Sequence, residues 1–267
     1  MPRLRAAQFD EQLTLVEHLD ELRNRIIVSA AVLVFACALC FWQNHLLLEI
    51  ANHPLPNDVN GQALKPITFG VAEPFMSTLK ISIYAGILIA LPVILYQLYA
   101  FLLPALKPVE KRVLLPFLLL VPFLFIAGVV FSYFVVVPAA AKFLLNFNQT
   151  QFNIQVRASD YYGFLLTTLL AVGLVFQIPM GVVAVTRLGI VTPKQLSKNR
   201  RYAYLILLVI AMLLPGTDPV TMLIEAAPLL ILFELSLVLA RLMGTPGESE
   251  EERASPTEPE PPGTPAS

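Results

Sequence analysis

Charge is what this chain has least of. Of its 267 residues only 14% are Asp, Glu, Lys or Arg, 57% are hydrophobic, and the mean hydropathy is +0.71. An ordinary soluble domain carries about 25% charged residues, so a soluble enzyme and a disordered regulator are both excluded. A net charge of −1 gives no sign of a nucleic-acid partner. Cysteine is nearly absent: Cys37 and Cys40 are the only two, which excludes a disulfide-built scaffold. Their CxxC spacing falls inside an apolar run, where thiol exchange lacks the accessible thiolate it requires, so both read as packing residues. His18, His45 and His53 form no metal-ligand cluster. No HExxH pair, GxxxxGK[ST] phosphate loop or GxSxG elbow is present. Enzyme chemistry has no support, and neither a cofactor nor a metal is implied. The amino end lacks a short apolar core with a small-residue cleavage site and is not read as a signal peptide.

What the chain does have is long apolar runs. A helix needs about 20 apolar residues to cross about 30 Å of hydrocarbon. Six candidates meet or approach that length: 26–42, 81–103, 113–137, 164–185, 203–214 and 220–240. These runs are apolar on all sides, whereas strands of a membrane barrel alternate apolar and polar residues. The expected class is therefore all-α and polytopic. Pro92, Pro179 and Pro228 lie inside spans and predict kinks. The fifth run has only 12 residues, about 18 Å of helix, which leaves a re-entrant segment as the rival to a true span. Lys and Arg divide unequally between the connecting segments, fourteen on one side and four on the other. By the positive-inside rule the richer side is cytoplasmic, and both termini lie on it. Trp42, Tyr133, Tyr161 and Tyr162 fall at outer ends, and Tyr99 and Tyr202 at inner ends, as interfacial anchors.

Three parts follow: an amphipathic cytoplasmic segment over 1–25, a six-span body over 26–242, and a tail over 243–267. The tail is rich in Pro, Glu, Ser and Thr and reads as disordered. No internal repeat is visible. In the N-terminal segment Leu15, Leu19, Leu22 and Ile26 form one apolar stripe, while Glu17 and Glu21 lie four apart with Asp20 beside them. Glu21 reads either as the partner of Arg25 on a solvated face or as part of an acidic site for a cationic ligand. Glu110, between Lys107 and Lys111, carries the same ambiguity. Within the spans Gln177, Glu225 and Glu234 stand out, because polar groups are expensive there and mark functional candidates. Asp218 sits where it would cap the sixth helix. From these features alone, a secondary transporter using Glu225 and Glu234 stays open, as does a membrane scaffold.

Five runs then carry a resemblance. EHLDELRNRI precedes the first span, PVILYQLYAFLLPAL closes the second, and EKR lies in the next loop. YFVVVPAAAKFLL follows the third and FQIP lies in the fourth. Together they resemble the TatC family, the multi-spanning receptor subunit of the twin-arginine protein translocase, over about residues 14 to 242. The resemblance implies six helices in a cupped arrangement, the fifth and sixth short, both termini cytoplasmic, in a bacterial or archaeal cytoplasmic membrane. It implies binding of twin-arginine signal peptides on folded precursors, export driven by the proton-motive force, and TatA- and TatB-type single-span partners in a complex of several copies. By motif position, Glu21 and Glu110 become the carboxylates for the two arginines, supported by Arg23, Gln97 and Phe101. Gln177 stands where many members have Glu, so the resemblance leaves it a polar contact to a partner helix rather than a proton site, with Glu234 alongside. Pro54 and Asp218 take structural or coupling roles in the outer loops.

Overall fold

The computed structural model describes residues 15–56, 65–102, 120–147, 151, 155–187, 190–215 and 218–242. Regular structure among them is helical, with one isolated bridge between Ile67 and Arg157. Helix α1 spans Leu15–Trp42, so the amphipathic stretch and the first span form one unbroken helix. A short α2, Asn44–Asn52, follows, then the 30-residue α3, Glu73–Leu102, which continues through Pro92.

The next apolar run is divided into α4, Leu120–Phe131, a π-helical turn over Ser132–Val136, and α5, Val137–Asn146. The cause is local. Pro138 has no N–H and its ring crowds the carbonyl four residues back. The ladder widens, and Val137 N–H donates to Ser132 O, five residues back.

Helix α6, Ala158–Val175, gives way to α7, Ile178–Arg187. The break falls where Pro179 predicts a kink. Pro179 cannot donate to Val175, and the backbone tightens so that Gln177 N–H reaches Leu174 O at 3.0 Å. A one-and-a-half-turn α8, Pro193–Lys198, opens on a capping box in which Thr192 and Gln195 bond each other's backbone. Helix α9 is Arg200–Leu213 and α10 is Pro219–Leu242.

Five of these units are long and apolar enough to cross a membrane: those of α1, α3, α4–α5, α6–α7 and α10. Helix α9 has 14 residues. The expectation of a short sixth helix needs correction, because α10 runs for 24 residues. Its apolar residues continue past Glu225 and Glu234, and Pro228 removes one hydrogen bond without ending the helix.

Small residues set the closest approaches, as in membrane bundles generally. A methyl group on Gly86 of α3 would lie 2.5 Å from Cys37 Sγ and 2.7 Å from Cys37 Cα of α1. Cys37 and Cys40 are free thiols, one half-buried and one buried at this seam, as packing residues should be. Gly128 and Gly173 face each other where α4 crosses α6, with Phe125 and Phe176 filling the flanks. Leu95, Val121, Phe125 and Met180 knit α3, α4 and α7 into one core.

At the end of the bundle away from the start of α1, α2 is fastened by three tyrosines. Tyr133 OH donates to Ile50 O and Tyr161 OH to Ala51 O, both at 2.8 Å, and Tyr162 OH donates to Asn52 Oδ1 at 3.0 Å. Tyr161 and Tyr162 are buried, so they act as internal clamps; Trp42, 82% exposed, keeps the position of an interfacial anchor. Beside the clamp, Ile67 N–H donates to Val156 O and Ala158 N–H to Ile67 O. The Glu73 carboxylate bonds Arg157 Nε at 2.8 Å and accepts from Phe69 N–H at 2.8 Å. Glu73 also holds Arg157 above its ordinary pKa, so the pair stays charged.

Candidate functional site

The opposite end of the α1–α3 pair carries the candidate site. Residues 21 and 25 are one turn apart on α1, and the tight α1–α3 seam brings the last turns of α3 alongside them. Arg25 donates from Nε to Glu21 Oε1 at 3.0 Å and from Nη2 to the same oxygen at 2.5 Å. Its third nitrogen, Nη1, crosses to α3 and donates to Gln97 Oε1 at 2.8 Å. A carboxylate and an amide from residues 76 apart (21 and 97) thus share one guanidinium. Arg25 and Glu21 side chains are 25% and 26% exposed, so the pair is mostly enclosed yet open at one side. It forms the wall of an open groove of about 480 Å³, lined by Asp20, Glu21, Asn24, Arg25, Val28 and Gln97. Two amide side chains, two acids and one base make a surface suited to a cation with several N–H donors.

The structure therefore brings two of the expected site residues together, Glu21 and Gln97, and joins them through Arg25. Arg23 is exposed and does not line the groove. Phe101, four residues beyond Gln97 on α3, is half-buried and also lies outside the lining. Glu110 lies outside the described residues. Arg25 is the residue that sequence reasoning undervalued. Its spacing signalled a pair with Glu21, but nothing in the chain signals the bond across to Gln97.

The remaining candidates are dispersed. Gln177 is buried at the α6–α7 break, where its Nε2 donates to Val121 O of α4 at 3.1 Å. Its Oε1 has no hydrogen-bond partner among the described residues. Glu234 of α10 accepts from Tyr204 OH of α9 and lies 3.5 Å from Arg200 Nη1, so it ties the two helices together. Asp218 is buried and caps α10, accepting from Thr221 N–H at 2.8 Å and Thr221 Oγ1 at 2.5 Å. Pro54 is buried behind α2. Glu225 is 2% exposed, and neither carboxyl oxygen has a hydrogen-bond partner among the described residues.

Long apolar helices, glycine-mediated crossings and a polar groove at one end of the α1–α3 pair define a class: a multi-pass helical membrane protein. Comparison with known proteins specifies it. The family model described as Sec-independent protein translocase protein (TatC) matches residues 17–228. A TatC protein of Carboxydothermus hydrogenoformans is 37% identical over 245 residues, covering 91% of this chain and 99% of the relative. One of Aquifex aeolicus is 36% identical over 232 residues, covering 86% and 95%. A crystal structure described as Twin Arginine Translocase Receptor TatC in DDM superposes with a TM-score of 0.71 at 36% identity, covering 84% of this chain and 99% of that one. The chain belongs to the TatC family and is a multi-pass membrane component of the Tat, or Sec-independent, protein translocase.

Proposed function

We propose that this chain is the translocase subunit that receives the twin-arginine signal peptide, and that the groove between α1 and the end of α3 takes one of its arginines. The observation that supports the reading is the guanidinium of Arg25 in the groove: Glu21 and Gln97 already hold one planar fork of donors. A carboxylate accepts such a fork in a geometry that an ammonium cannot reproduce. Glu110 is assigned the second arginine, with Arg23 and Phe101 as supporting neighbours. In this reading the groove faces the cytoplasm, six spans cross a bacterial or archaeal cytoplasmic membrane, and both termini are cytoplasmic. The inequality of fourteen Lys and Arg against four supports that orientation. Partners are TatA- and TatB-type single-span subunits, and export of folded precursors draws on the proton-motive force. Gln177 contributes a polar contact to a partner helix.

The test is peptide binding to the purified chain in nanodiscs, comparing a signal peptide bearing Arg-Arg with the same peptide bearing Lys-Lys. The expected result is a clear preference for Arg-Arg, reduced in Glu21→Ala and in Glu110→Ala. Each lost charge-assisted bond is worth about 1.5–3 kcal/mol, or roughly ten- to a hundredfold in Kd. Equal binding of both peptides, unchanged in either variant, overturns the reading.

A further inference from the structure

We infer that Arg25 is a resident competitor in the arginine groove, so that a peptide arginine gains entry by displacing it; this rests on the receptor reading above. The geometry carries the inference in three steps. First, Arg25 takes the acceptors a ligand guanidinium would need: both Nε and Nη2 go to Glu21 Oε1 and Nη1 goes to Gln97 Oε1. Second, the third bond is not a helical accident. A Glu and an Arg four apart on one helix satisfy each other without leaving its surface. Here the guanidinium instead reaches across the seam to α3 and forms part of the groove wall with Val28 and Asn24. Third, the resident is tethered yet exchangeable: the Arg25 and Glu21 side chains are 25% and 26% exposed and face an open groove, so the site is occupied without being sealed.

Competition of this kind sets how tightly the site binds, not which cation it prefers. Only the fraction of molecules with Arg25 withdrawn is competent, and that fraction lowers the apparent affinity of every ligand by the same factor. The preference for arginine comes from the acceptors themselves: a second guanidinium can exchange bond for bond with Arg25, whereas an ammonium, which has no planar fork, cannot bridge Glu21 and Gln97 in the same way.

Three forms of the full chain in nanodiscs separate this from a purely positional role: wild type, Arg25→Met and Arg25→Lys. The last keeps the charge and removes the fork. The probes are one synthetic signal peptide with Arg-Arg and its Lys-Lys counterpart. The expected order of affinity for Arg-Arg is Arg25→Met tightest, Arg25→Lys next and wild type weakest, with a gain of about tenfold for Met. The ratio of Arg-Arg to Lys-Lys affinity stays unchanged in both variants, because the resident lowers both affinities by the same factor. The gain in Arg25→Met persists at high salt, which excludes a simple change in net charge. If wild type prefers Arg-Arg but both variants bind it equally well or more weakly, Arg25 holds Glu21 in position and the competitor inference is overturned. If wild type does not distinguish the peptides at all, the receptor reading falls and takes this inference with it. Should Arg25→Met not fold, Arg25→Lys alone decides between the first two results.

Discussion

Glu225 and Gln177 show how little a single buried side chain reveals of its purpose until its partners are known. Both are polar residues in apolar spans, and both are buried. Gln177 spends its amide nitrogen on the Val121 carbonyl and so ties the α6–α7 break to the start of α4. A glutamate at this position would offer only oxygen to that carbonyl when ionised, so the amide is the residue that suits the contact. Glu225 has no comparable bond among the described residues. A buried polar group without a partner costs about 1–3 kcal/mol, and replacing such a group with an apolar one of similar shape is often neutral or stabilising. Glu225→Leu is therefore expected to raise the thermal unfolding temperature of the chain in nanodiscs, and Glu225→Lys to lower it sharply. A lower unfolding temperature in Glu225→Leu would mean that the carboxyl is bonded after all, through an internal water, and the argument from its isolation would fail.

The helices themselves were the most legible part of the sequence, and the reasons are physical. Length and unbroken apolarity announce a span whatever its neighbours are, so α1, α3, α4–α5, α6–α7 and α10 all fall where the runs predict. Interruptions were harder. Pro179 pointed to the break at Phe176–Gln177, but Pro138 gave no warning of the π turn at Ser132–Val136, because it falls just past the end of the run over 113–137, where a proline is ordinary. Helix α2 was hidden in the loop between the first two spans and exists because Tyr133, Tyr161 and Tyr162 hold it, contacts that only the assembled bundle supplies. The site was half legible in the same way. Motif resemblance pointed to Glu21 and Gln97, while the bond from Arg25 to Gln97 joins residues 72 apart and needs the α1–α3 seam to exist first. That seam is itself testable. Gly86→Ala would drive a methyl group into the Cys37 backbone, at 2.7 Å from its Cα, so the helices must part. Gly181→Ala meets nothing within 4 Å and is helical, so it should stabilise α7 by about 0.5–1 kcal/mol. Unfolding in nanodiscs should move in opposite directions for the two variants, and Gly86→Ala alone should weaken the hold of Glu21 and Gln97 on a guanidinium.

For the whole molecule the deciding quantity is the length of α9. Its 14 residues make about 21 Å of helix against a hydrocarbon core of about 30 Å. Two facts favour a true crossing. Helix α9 begins on Arg200 and Arg201 and follows Lys194 and Lys198 of α8, a basic run whose charges resist translocation. It is also bound to α10 near that same end, where Tyr204 and Arg200 meet Glu234, so the two helices lie side by side as a hairpin. A crossing this short requires a thinner bilayer around it or shelter from neighbouring protein. The alternative, a re-entrant α9, would reverse α10 and place the carboxyl end outside. A cysteine scan decides between them. With Cys37 and Cys40 changed to Ala, a thiol introduced at His53 and another at Arg253 are probed in intact cells with a membrane-impermeant reagent. The six-span arrangement predicts labelling at 53 from outside, and at 253 only after the membrane is opened. Labelling of both from outside would mean five spans, and the groove at Glu21 and the chain's carboxyl end would then lie on opposite faces of the membrane.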